Sequence, residues 1–341
     1  MNHTMEGRAS RASSRAGRPD LHKQFLMTTA ARHPPTAPLS SGWSALPPEY
    51  AIPDHAPSEA EAREYCRRLA RSHYENFSVA SWFLPERLRQ HFFNVYAYCR
   101  ISDDLGDEVG DTAASLQLLD QWETELNACY DGHHIRPRHP VFVALAETVR
   151  KFEIPKREFA DLLTAFRQDQ SIRRYETFND LLGYCRYSAN PVGHLVLYLC
   201  GYRDAARQQL SDYTCTALQL ANFWQDVSAD FAKGRIYLPL EDLRRFGVSE
   251  AVIRDGENTS AFCDMMNFEV ERAREWFTQG MPLIAKVDRA LAIDIELFSR
   301  GGEEILNAIE RQHYAVLGSR PAISKTRKLA LVARAALGKL R

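Results

Sequence analysis

The sequence predicts an all-helical protein, and three observations carry that prediction. Beyond residue 58 nearly every segment repeats its apolar residues with a helical period, and strand-like alternation is almost absent. Prolines at 85, 140, 155 and 282 stand where a first helical turn tolerates them. In order, helical periods cover 58–72, 85–108, 113–130, 140–152 and 155–170. The first opens with Ser58 followed by Glu61, the pattern of a capping box. Further helices are predicted over 177–200 with Pro191 inside, 203–231, 249–254, 259–280, 282–298 and 300–317. There is no internal repeat of fixed period.

At 341 residues and 45% hydrophobic, the chain can bury a substantial core, and nothing forces residues 58–317 apart into two domains. A net charge of −1 gives no global attraction to nucleic acid, so no nucleic-acid partner is expected. Seven scattered cysteines, an odd number without a C-x-x-C pair, read as reduced core thiols of a cytoplasmic chain. The longest apolar runs, such as 196–200 and 329–333, are far too short to cross a bilayer, which argues against a channel or transporter.

The two ends differ in composition from the middle. Residues 1–57 are rich in Arg, Ser, Ala and Pro and lack a sustained period, so they read as a disordered N-terminal extension, with the fold starting near Ser58. Arg8, Arg11, Arg15 and Arg18 could also imitate a transit peptide, or the start could be overlong with Met27 as the initiator. Residues 318–341 form a basic C-terminal helix: 320–341 holds seven Lys or Arg and no acid, with Leu, Ala and Val between them. Such a segment suits either peripheral adhesion to the anionic inner face of a membrane or an ordinary solvated helix.

The chemistry concentrates in 219–237, QLANFWQDVSADFAKGRIY. Gln219, Asn222, Asp226 and Asp230 follow at spacings of three, four and four, so a helix aligns them in one stripe while Leu218, Leu220, Phe223, Trp224 and Val227 cover the rest. Buried carboxylates need a partner, and oxygen ligands without His or Cys point to magnesium. A second set lies in 96–108, where Asp103 and Asp107 share a face preceded by Tyr96 and Arg100. Arg100 can hold a carboxylate or a phosphate bidentately. Either motif alone could be a solvated acidic helix end; two of them, in apolar helices more than a hundred residues apart, point to one site. Facing carboxylates repel by roughly 4 kcal/mol at about 4 Å, which magnesium and a diphosphate between them would reverse. Lys233, Arg235 and Tyr237 follow the second cluster and suit the diphosphate side of a closing loop. The ligands lie on helices and not in a twelve-residue loop, which disfavours a calcium sensor.

Four stretches, HYENFSVASWFLP from His73, YAYCRISDDLGDE from Tyr96, YCRYSANPVG from Tyr184 and QLANFWQDVSADFAKGRIYLP from Gln219, resemble in order and spacing the squalene and phytoene synthase family of head-to-head prenyl transferases. The resemblance spans residues 60–310. It implies an all-α isoprenoid-synthase bundle around a central cavity, with three magnesium ions holding a prenyl diphosphate. Asp103 and Asp107 match the family's first aspartate motif, and Asn222, Asp226 and Asp230 the second. Arg100, Gln219, Lys233, Arg235 and Tyr237 match its phosphate side; Phe77 and Tyr184 are further candidates for contacting the substrate.

Within the family the wording is most similar to hopanoid-pathway hydroxysqualene synthases. That implies presqualene diphosphate as substrate, a water quench and no nicotinamide, although the missing dinucleotide fingerprint discriminates poorly. Asn190-Pro191 should kink its helix and free the carbonyl of Tyr187, so Asn190 and Tyr187 are candidates for holding the quenching water; Asn190 could equally just satisfy the broken helix. His73 and His194 could be acid–base groups or hydrogen-bonded core residues, and Phe77, Trp82, Phe92, Phe93, Phe223 and Trp224 cation-shielding or plain core. Rival readings are condensation of two prenyl diphosphates to presqualene diphosphate, dehydrosqualene or phytoene, and a noncatalytic helical scaffold. A neighbouring synthase supplying the substrate would be a natural partner.

Overall fold

Two apolar clusters organise the helices, and each contributes one of the aspartate-bearing helices. The computed structural model describes residues 43, 46–72, 85–131, 136–324, 326–328, 330–331 and 333–334. It contains α1 (Glu59–Ser72), α2 (Glu86–Asp107), α3 (Thr112–Tyr130), α4 (Pro140–Phe152), α5 (Lys156–Gln168) and α6 (Phe178–Ser188). There follow α7 (Asn190–Leu199), α8 (Ala205–Ala232), α9 (Leu240–Arg245), α10 (Glu250–Arg254), α11 (Ser260–Gly280), a 3-10 turn (Met281–Lys286) and α12 (Arg289–Arg311). No strand occurs among the described residues, and none of their helices is long and apolar enough to cross a membrane.

The first cluster joins α1 to α5 with part of α7. Tyr98, Trp122, Phe142 and Phe159 fill its centre, with ring centroids of Trp122 and Phe142 4.4 Å apart. Trp122 Nε1 donates to Ser102 Oγ at 2.9 Å, and Ser102 Oγ donates to the carbonyl of Tyr98 at 2.7 Å. Tyr98, Ile101 and Leu105 therefore fix one side of α2, and Asp103 lies about half a turn away on the other. The second cluster is built on α8, which packs against α11, α12 and α7 and fully buries Trp224, whose Nε1 donates to the Glu269 carbonyl of α11 at 3.1 Å. Asp204 caps α8 by accepting from the Arg207 N–H at 3.0 Å, releasing a 28-residue helix long enough to run from the surface to the site.

Several predicted boundaries move. The 177–200 segment is two helices, because Ala189 (φ −118°, ψ −49°) breaks the run and Pro191, lacking an N–H, falls into the first turn of α7. The predicted helices 282–298 and 300–317 become a 3-10 turn and a single α12. Gly301 and Gly302 do not break α12; Gly302 lets it approach α11, since a Cβ there would lie 2.3 Å from Phe277 Cζ. The short α9 after Pro239 was not predicted.

Both ends of the folded unit extend further than expected. Residues 46–57 are part of the fold: Leu46 and Tyr50 are buried, Tyr50 Oη donates to Asp104 Oδ2 at 2.8 Å, and Tyr65 Oη donates to the Glu49 carbonyl at 2.7 Å. At the other end Ile323 is buried in the second cluster and Arg320 turns inward, while described residues from 326 on are helical. Most of the predicted N-terminal extension, and the segment holding His73, Phe77 and Trp82, lie outside the described residues. All seven cysteines are free thiols.

Candidate active site

The C-terminal ends of α2 and α8 meet across a polar cavity. Asp103 and Asp107 of α2 face Gln219, Asn222, Phe223 and Asp230 of α8. Phe166 and Asp169 at the end of α5, Tyr184 and Ser188 of α6, and Arg235 and Tyr237 after α8 complete the wall.

The two aspartate clusters are tied together directly. Lys233 caps α8 and Gly234, at φ +78°, reverses the chain; a residue with a Cβ would be strained there. The turn is closed by the Arg235 N–H donating to the Asp230 carbonyl at 2.9 Å. It carries Lys233 Nζ to 3.2 Å and Arg235 Nη1 to 2.9 Å from the Asp107 carboxylate. Arg235 Nε has no hydrogen-bond partner among the described residues.

The remaining carboxylates divide into held and unheld ones. Asp104 is held by Tyr50 and by Arg100, whose Nε donates at 3.0 Å. Asp226 is held by Arg320, which also donates Nη2 to Gln225 Oε1 at 2.7 Å, and Gln225 Nε2 donates to the Pro321 carbonyl at 2.6 Å. Among the described residues, Asp103 and Asp230 are buried without such a clamp. Burial and the neighbouring Asp107 and Asp104 charges push Asp103 well above the usual carboxylate range, against Arg100 and Lys233. Burial and Asp226 do the same to Asp230, against Arg235 and Lys233.

Aromatic rings and a fourth aspartate, Asp169, form the opposite wall. Phe223 and Tyr237 stack with centroids 3.9 Å apart and planes at 10°. Asp169 accepts from Tyr184 Oη at 2.8 Å and Tyr237 Oη at 3.4 Å. Burial and the Asp107 charge raise Asp169 to about 7, although Arg235 and both tyrosine hydroxyls favour its charged form.

A model of the squalene/phytoene synthase family matches residues 70–327. The chain belongs to the squalene/phytoene synthase family. Among curated relatives, a phytoene synthase of Arthrospira platensis is 30% identical over 285 residues, covering 80% of this chain and 91% of the relative. Among solved structures, squalene synthase HpnC from Alicyclobacillus acidocaldarius is 44% identical with a TM-score of 0.70, covering 80% of this chain and 98% of that one. A dehydrosqualene synthase in complex with ligand is 28% identical with a TM-score of 0.74, covering 82% and 96%. The all-α isoprenoid-synthase fold is thus shared, and the chain falls in an enzyme family of head-to-head prenyl diphosphate condensation.

Of the residues singled out in the sequence, Asp103, Asp107, Gln219, Asn222, Asp230, Arg235, Tyr184 and Tyr237 line one cavity. Asp226 lies behind them on Arg320, Lys233 on Asp107 and Arg100 on Asp104. Tyr187 and Asn190 are not on the wall, and Asn190 Oδ1 accepts from Thr216 Oγ1 at 3.0 Å, which ties α7 to α8. Phe77 lies outside the described residues. Asp169, Ser188, Phe166 and Arg320 were not singled out as site residues: Phe166 reads as one more apolar residue of its helix, and the others come from element ends or the turns between them. The donors are all oxygens, and two are buried unclamped carboxylates, which suits a hard divalent cation. No three His, Cys, Asp or Glu side chains among the described residues are drawn together to hold an ion unaided, so phosphate oxygens and water would complete its shell.

Proposed function

We propose that the chain ionises presqualene diphosphate, rearranges the cyclopropylcarbinyl cation and quenches it with water, giving hydroxysqualene and pyrophosphate. The observation that carries this reading is the juxtaposition of two compartments along α8. Gln219, Asn222 and Asp230 line the polar cavity, while Leu218 beside them lines a second, apolar pocket with Phe92, Val196, Leu283, Leu291 and Phe298. A diphosphate with a long hydrocarbon tail needs both.

Asp103, Asp107, Asn222, Asp226 and Asp230 would hold magnesium, which supplies Lewis-acid polarisation of the leaving diphosphate when bound. Arg235, with its Nε unengaged, and Lys233 would exchange Asp107 for diphosphate oxygens. The stacked Phe223 and Tyr237 would exclude water and face the cation. The 44% identity to squalene synthase HpnC over 98% of its length supports this branch of the family. The reaction as written consumes no reductant, so no nicotinamide is invoked. The basic tail, residues 320–341, would rest on an anionic membrane surface into which such lipids partition.

A second reading, condensation of two prenyl diphosphates, is favoured by the 30% identical phytoene synthase and the dehydrosqualene synthase structure. One experiment separates them: purified protein with magnesium and presqualene diphosphate, without nicotinamide, followed by mass analysis of the extracted lipid. Hydroxysqualene is expected. Failure to form it, together with consumption of farnesyl diphosphate to presqualene diphosphate or a thirty-carbon hydrocarbon, would establish condensation instead.

A further inference from the structure

The cavity wall contains a buried hydroxyl that the fold does not use. Ser188 closes α6 at 8% exposure, and its Oγ has no hydrogen-bond partner among the described residues. A helical serine commonly satisfies itself on the carbonyl four residues back, as Ser102 does on Tyr98. Ser188 does not do so on Tyr184, and leaving a buried hydroxyl unpaired costs free energy unless something else occupies it. One turn earlier on the same wall, Tyr184 Oη donates to Asp169. Asp169 belongs to neither aspartate motif, and its contacts are two tyrosine hydroxyls.

We propose that Ser188 holds the water that quenches the rearranged cation, and that the Tyr184–Asp169 pair takes up the proton released. The inference rests on the hydroxysqualene reading. A lone pair of the water oxygen forms the new C–O bond to the cationic carbon. An O–H bond of the resulting oxonium breaks, its proton passes to Tyr184 Oη, and the Tyr184 proton passes to Asp169 Oδ2. The alcohol leaves neutral, Asp169 is left protonated, and nothing is oxidised or reduced. Asp169 suits the task, because burial has already raised it to about 7 and so made it a better proton acceptor than an exposed carboxylate. Tyr184, whose phenol burial holds protonated, can relay a proton without resting as an anion. Asn190 and Tyr187, the alternatives suggested by the helix break, lie off the wall.

The test is the product partition in Ser188→Ala, Ser188→Thr and Asp169→Asn, with presqualene diphosphate and magnesium in ¹⁸O-labelled water. Alcohol formed is read against pyrophosphate released, a ratio that loss of folded protein does not change. Ser188→Ala and Asp169→Asn should each lower that ratio about tenfold or more, with hydrocarbon or isomeric alcohols taking its place, and Ser188→Thr should restore the labelled alcohol. An unchanged ratio in both Ser188→Ala and Asp169→Asn, whatever their total turnover, overturns the proposal while the hydroxysqualene reading stands. Wild-type protein that releases pyrophosphate but forms no alcohol overturns that reading, and the proposal with it.

Discussion

Asp103 and Asp107 stand one turn apart on the same face of α2, yet folding treats them differently. Asp107 receives both Lys233 and Arg235, whereas Asp103 is buried beside it with no direct hydrogen bond among the described residues. The metal-free fold therefore bears an electrostatic cost at Asp103 that a cation would relieve. In metal-free protein, Asp103→Asn should raise stability by on the order of 1 kcal/mol in denaturant titrations while abolishing turnover. Lower stability together with normal turnover would refute the ligand assignment. The carboxylate stripes were legible because helical spacing alone decides which side chains share a face. Asp169 gave no such signal: it is one acid in the polar stretch RQDQS, and only the packing of α5 against α6 brings it to Tyr184. Arg320 reads in sequence as one more tail cation, and its aim at Asp226 is set by the turns after α12.

Elements differed from expectation where one residue type serves two purposes. Pro191 marks a helix start and not a kink, and at the Gly301–Gly302 pair, which looks like a break, Gly302 permits close helix packing. His194 illustrates the converse, a residue that fits a catalytic reading and instead joins elements. On α7, it engages Glu158 of α5 through Nδ1 at 2.8 Å and Asp212 of α8 through Nε2 at 2.7 Å. Burial opposes its charge, but the hydrogen bonds to Asp212 and Glu158 outweigh it and push the imidazole up to about 9. Because the folded value lies above the unfolded one, the stabilisation is fully present below about pH 6.5 and is lost as pH rises through about 9. The contribution is about 3 kcal/mol, counted once for the whole triad. The stability gap between wild type and His194→Gln, followed by denaturant midpoint from pH 6 to 10, should therefore shrink across that window. A gap independent of pH would show that the bridge is neutral.

For the molecule as a whole, both boundaries of the catalytic unit are set by residues that reach back to an aspartate helix, Tyr50 to Asp104 and Arg320 to Asp226. Composition could not reveal this, since Tyr50 sits in a stretch without helical period and Arg320 reads as one more cation of the basic tail. Two truncations divide the functions of the tail. Ending the chain at residue 324 keeps Arg320 and the buried Ile323, and should weaken binding to anionic vesicles while sparing turnover of detergent-solubilised substrate. Ending it at residue 317 should also impair turnover and stability, because the Arg320–Asp226 ion pair is lost and the second cluster loses Ile323. Equal vesicle binding by full-length and shortened chains would retire the membrane role. The Arg320 contact has a further consequence. A cation taking the Asp226 oxygens competes with the guanidinium for them, so cation binding and tail docking are antagonistic, each weakening the other by the same factor. The chain terminus then behaves as a tethered, intramolecular competitor, and metal affinity measured on the protein ending at residue 317 will overstate that of the intact chain.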